Sequence, residues 1–100
     1  MSLNRAERTI ADYLARQPDE RRHWQDKVAR LAAAAAGPHA AADAVTDALA
    51  AYCRERATVL AEFRGLDTVP RTMLRNLAEL LLRQWAPPPP KRPAAAVPWP

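Results

Sequence analysis

Pro70-Arg71-Thr72-Met73-Leu74-Arg75-Asn76-Leu77-Ala78-Glu79-Leu80-Leu81-Leu82-Arg83-Gln84-Trp85 is the stretch on which the fold turns. Proline suits the first turn of a helix, where its missing N–H has no partner to lose. Most residues after this proline are good helix formers. At about 100° per residue, Leu74, Leu77 and Leu81 mark the centre of one apolar arc. Met73, Ala78, Leu80 and Trp85 widen that arc to nearly half the circumference. An arc so broad requires contact with at least two neighbours, which predicts a helix in the middle of the core.

The neighbours are legible upstream. Asn4 and Glu7 have the spacing of a capping box, and Leu3, Ala6, Ile10, Tyr13 and Leu14 form one stripe at helical spacing. Arg8, Asp12 and Arg16 alternate in sign on the opposite side, as a solvated face does. Gln17-Pro18 ends this segment, and Pro18, Asp19 and Glu20 suit the start of a second, whose stripe is Trp24, Val28, Leu31 and Ala35. Gly37-Pro38 stops that one. A third segment carries Val45, Leu49, Tyr52, Val59, Leu60 and Phe63 on one side and closes at Gly65. The expected helices are therefore about 4–16, 18–36, 38–63 and 70–85. No stretch alternates in the manner of a strand. The expectation is an all-α, small four-helix bundle-like domain over residues 1–85.

From Ala86 to Pro100 the helical pattern gives way to Ala-Pro-Pro-Pro-Pro-Lys-Arg-Pro-Ala-Ala-Ala-Val-Pro-Trp-Pro, a basic proline-rich tail expected to be extended. It contains Pro87, Pro90 and Arg92 in a P-x-x-P-x-R arrangement. Trp99, a large apolar group between prolines, is expected either to dock on the helical domain or to anchor a partner.

The net charge of +4 comes from the second half of the chain: residues 1–50 balance seven Arg/Lys against seven Asp/Glu, and residues 51–100 set eight against four. A local excess of this kind points to partners of opposite charge, nucleic acid among them. Most of the cations are Arg, and together with the alanine content this matches a GC-rich coding sequence as well as it matches phosphate recognition. Cys53 is the single cysteine, so no intramolecular disulfide forms. The first eight residues carry charges where a signal peptide needs an apolar stretch. The apolar runs are far shorter than a membrane span. These features predict a cytoplasmic protein.

Chemistry-bearing patterns are sparse. His23, His39 and Cys53 are single and far apart, without the close pairs that zinc requires. Both glycines fall at helix ends, so there is no glycine-rich phosphate loop. No cofactor, metal or catalytic set is expected, and the chain reads as a non-enzyme.

Two sets of residues invite a binding role. Arg71, Arg75, Asn76 and Arg83 lie on the exposed arc of the last helix. Arg pairs with guanine and Asn with adenine through two parallel hydrogen bonds, while Arg64, Lys91 and Arg92 are placed to contact phosphates. The competing reading is a solvated face in which Glu79 pairs with Arg75 and Arg83. The second set is Arg56, Trp85 and Trp99. Arg56 falls within the apolar stripe of the third helix, so it needs a carboxylate such as Glu20 or Glu79, an exit to water, or a role at an interface or anion site.

The leading expectation is a non-enzymatic protein–protein interaction module, self-associating or presenting its proline-rich tail. The alternative is a nucleic-acid-associated protein using the last helix and the basic tail. A third possibility, a ligand-binding bundle, requires Arg56, His23 or Tyr52 to converge on a pocket among the second, third and fourth helices.

Overall fold

The computed structural model describes residues 3–86, and over them the chain is all-α, without strands. Four α-helices, α1 (Arg5–Arg16), α2 (Pro18–Ala34), α3 (Pro38–Arg56) and α4 (Arg75–Trp85), are joined by short links except between α3 and α4. There the chain makes three 3-10 turns, at Ala61–Phe63, Leu66–Thr68 and Arg71–Leu74. The expectations for the extended tail, Lys91, Arg92 and Trp99 lie outside the described residues.

Short α4 packs against all three other helices, most extensively α3 and least α1. Leu74, Leu77 and Ala78 are wholly buried and Leu81 nearly so, and they meet Ile10 and Leu14 of α1, Trp24 and Val28 of α2, and Val45 and Leu49 of α3 in one cluster. A line of edge-to-face aromatic contacts crosses this core. Tyr13 of α1 stands 5.2 Å from Phe63, Phe63 is 5.8 Å from Tyr52 of α3, and Tyr52 is 5.1 Å from Trp24 of α2.

The capping box of α1 forms as the sequence predicts: Glu7 N–H donates to the Asn4 side chain, and Asn4 N–H donates to the Glu7 carboxylate. It also does something the spacing does not reveal. Glu7 is entirely buried, and its second oxygen accepts the Leu77 N–H at 2.6 Å, while Asn4 Nδ2 donates to the Met73 carbonyl at 2.6 Å. A continuous helix through this point would bond Leu77 N–H to Met73 C=O. Asn4 and Glu7 take both partners of that bond. The α-helix accordingly begins at Arg75 instead of Pro70, after the 3-10 turn Arg71–Leu74, and Leu74 at its cap position supplies no side chain of its own. One pair of residues thus satisfies a first-turn donor in each of two helices.

The third helix is shorter than its apolar pattern suggests, ending at Arg56 and not near Phe63. Thr58 decides the matter. Its hydroxyl donates to the Glu55 carbonyl at 2.7 Å, and the Thr58 and Val59 N–H groups bond three residues back, which tightens the last turn. Leu60 is then extended, and the next turn drops Phe63 into the core, where it is fully buried. Val59, expected on the apolar side, is 65% exposed, and Met73, expected to widen the arc of α4, is 47% exposed in the 3-10 turn before it. α2 ends at Ala34, because Ala35 is already extended before Gly37-Pro38.

Candidate functional site

Arg75 at the start of α4 and Arg71 in the 3-10 turn before it are committed to carboxylates. Arg75 Nη1 donates to Asp43 of α3 at 2.6 Å and its Nε to Glu79 at 3.1 Å. Arg71 Nε donates to Asp47 at 2.7 Å, with its Nη2 on the Asp43 carbonyl at 3.3 Å. Asp43 and Asp47 stand one turn apart on α3, facing α4, and this face ties the two helices together at the edge of the core. Helical spacing pairs Arg75 with Glu79, but it offers no means of matching Asp43 and Asp47 to residues some thirty positions on. Arg64 is exposed in the connection, and Asn76 and Arg83 are exposed on α4.

Arg56 occupies the last turn of α3, half-buried. Its guanidinium passes 6.0 Å from the centre of the Tyr52 ring and reaches Glu55, with Nε at 3.1 Å and Nη2 at 2.9 Å. The partner is thus the adjacent Glu55, where the sequence suggests Glu20 or Glu79. Because α3 stops at this residue, the side chain leaves the apolar stripe at the helix end, where a cation also suits the helix dipole.

Arg56 does meet Tyr52 and His23, in a cleft of about 360 Å³ between α2 and α3. Glu20, His23, Trp24 and Lys27 line it from α2; Ala48, Ala51, Tyr52, Glu55 and Arg56 line it from α3. The Tyr52 hydroxyl donates to Glu20 at 2.5 Å. Burial, then the Glu20 hydrogen bond and charge, raise the phenol well above its ordinary range. Tyr52 is therefore held protonated and is no base at neutral pH. Lys27 Nζ sits 5.6 Å from the Trp24 ring centre. Trp24 is 1% exposed, and its indole N–H is buried without an acceptor among the described residues. An orphaned donor of this kind costs on the order of 1–3 kcal/mol.

Trp85 lies beside a different opening. A groove of about 310 Å³ runs between α1 and the C-terminal half of α4, walled by Ala11, Leu14 and Ala15 on one side and Leu77, Leu80, Leu81 and Trp85 on the other, with Arg21 and Gln84 also lining it. Across α4, a second groove of about 430 Å³ is bordered by Pro38, His39 and Ala42 of α3 and by Leu82 and Arg83 of α4. Leu80, Leu82 and Trp85 are all only half-buried.

No family model, curated protein or solved structure matches the chain. Its own chemistry must carry the functional reading. Among the described residues no three His, Cys, Asp or Glu side chains converge to hold a metal ion, and no helix is long and apolar enough to cross a membrane.

Cys53 is buried within the core, and burial pushes its thiol up to about 11. The consequence is an alkaline limb in stability. The thiol of the unfolded chain ionises near 9.0 and that of the folded chain near 11, so between these values the folded state holds more protons and stability falls as pH rises. The urea midpoint is expected to decline between pH 9 and 11, and to decline less steeply in Cys53→Ala. Equal slopes in the two proteins would show that the thiol contributes nothing.

Proposed function

We infer that the chain is a non-enzymatic protein–protein interaction module that self-associates through the C-terminal half of α4. The observation that carries this reading is the excess width of the α4 apolar arc. Three helices pack against it, yet Leu80, Leu82 and Trp85 remain half-buried along two open grooves. Contiguous apolar surface rimmed by polar groups is characteristic of association sites, and partly exposed Trp and Leu beside a concave wall are suited to anchoring. A second copy supplies the same rigid helical edge, so the contact repeats about a two-fold axis.

Nucleic-acid binding through this helix has less support. Arg71 and Arg75, the side chains best placed to read bases, already hold Asp43, Asp47 and Glu79. Presenting them to a duplex requires breaking those pairs and bringing three carboxylates towards phosphates. A cytoplasmic location belongs to the same reading, since a single buried thiol asks nothing of an oxidising compartment.

Light scattering on the full chain and on a truncation after Trp85 tests the reading. Both are expected to be dimeric, and Leu80→Glu combined with Trp85→Glu is expected to give a helical monomer. A monomeric full chain at high micromolar concentration contradicts the proposal. A dimer lost only on truncation would transfer the contact from α4 to the tail.

A further inference from the structure

Leu80 and Leu82 sit on opposite flanks of α4. At about 100° per residue they stand roughly 160° apart around the helix, Leu80 in the wall of the α1–α4 groove and Leu82 in the wall of the groove beside α3. Both are half-buried. One neighbour covers both only if it lies along the line midway between them. That line is polar, for Asn76, Glu79 and Arg83 fall within about 40° of it. Asn76 and Arg83 are exposed, and the Glu79 side chain is 41% exposed. Glu79 and Arg83 are opposite in charge and about 6 Å apart along the helix axis. This ridge therefore dictates how a second α4 can be laid on it. A parallel pair sets Glu79 against Glu79 and Arg83 against Arg83. An antiparallel pair, with its two-fold axis level with residue 81, sets each Glu79 against Arg83 of the other copy.

We propose that α4 pairs with α4 of a second copy in this antiparallel register, closed by two reciprocal Glu79–Arg83 ion pairs. The inference rests on the self-association proposed above and adds its orientation. The two-fold axis carries each flank of one helix onto the same flank of the other. Leu80 therefore packs against Leu80 on one side and Leu82 against Leu82 on the other, so the apolar pairs are like with like while the charged pairs are unlike. Glu79 keeps its bond from Arg75 Nε, because a carboxylate has acceptor sites for more than one guanidinium. The leucine flanks supply the attraction, and the charges select antiparallel over parallel.

Sedimentation equilibrium on the full chain, with circular dichroism as the check on folding, tests the register. Glu79→Arg sets Arg against Arg at both ends of the contact and is expected to weaken self-association roughly tenfold. Arg83→Glu sets carboxylate against carboxylate and is expected to do the same. The double variant Glu79→Arg/Arg83→Glu restores both pairs with the signs reversed and is expected to recover wild-type affinity. An equimolar mixture of the two single variants is expected to recover it as well, because their heterodimer holds both pairs although each chain remains net positive. Single variants that associate as tightly as the wild type, which is what a parallel pair gives, would overturn the register and leave self-association standing. A double variant and a mixture as weak as the single variants would do likewise. A monomeric wild-type chain would remove self-association and the register together.

Discussion

Glu7→Ala is expected to destabilise the fold by about 2–4 kcal/mol, a large effect for a single side chain outside the hydrophobic set. The carboxylate is wholly enclosed and accepts from Asn4 N–H at 3.0 Å and Leu77 N–H at 2.6 Å. Removing it strands the Leu77 donor in the core, at on the order of 1–3 kcal/mol, and takes the side-chain acceptor from Asn4 N–H, at about 1 kcal/mol, while the bond from the residue-7 N–H to Asn4 survives. Glu7→Gln keeps one acceptor but turns an NH2 group towards the other N–H, so it should lose an intermediate amount. Urea titration followed by circular dichroism measures both. A loss below about 0.5 kcal/mol, the range of ordinary surface changes, would mean that the two helices do not depend on this residue.

Phe63→Ala is expected to cost about 3–5 kcal/mol, the range for emptying a fully buried aromatic site. Phe63 bridges Tyr13 and Tyr52 and is the only large side chain of its 3-10 turn to enter the core. Its loss opens a cavity among α1, α3 and the connection and breaks two edge-to-face contacts. A small domain has about 5–15 kcal/mol in total, so the alanine variant will be near its limit. Phe63→Leu is the measurable companion, and the lost ring contacts should still cost it about 1–2 kcal/mol. If both variants unfold at the wild-type denaturant midpoint, the aromatic line does not hold the core.

How much of this fold is legible in the sequence depends on the distance between partners. The stripe of α1, the stop at Gln17-Pro18 and the central place of Leu74, Leu77 and Leu81 all come from local spacing, and the structure has them. The end of α3 is not legible. Val59, Leu60 and Phe63 continue a helical period, but Thr58 offers the Glu55 carbonyl a competing bond, and burial of Phe63 from a separate turn outweighs continuation of the helix. The start of α4 escapes local spacing for a related reason, since Asn4 and Glu7, some seventy residues away, take the Met73 and Leu77 backbone groups that would have extended it.

The candidate sites divide in the same way. Glu79 beside Arg75 is a local pair that spacing anticipates, whereas Asp43 and Asp47 opposite Arg71 and Arg75 depend on how α3 is set against α4. Tyr52, His23 and Arg56, whose convergence a ligand site requires, line one cleft, between α2 and α3 without α4.

Backbone hydrogen exchange at Leu77 in the full chain tests the central claim most directly. This amide belongs to the first turn of α4, where an isolated helix leaves its N–H groups without partners and exchange is fast. With Glu7 as its acceptor inside a core that α4 shares with all three other helices, Leu77 should exchange as slowly as Ala78 and Leu81, through global unfolding alone. Rapid exchange at Leu77 while Ala78 and Leu81 remain protected would refute the trans-cap, and rapid exchange at all three would remove α4 from the centre of the fold.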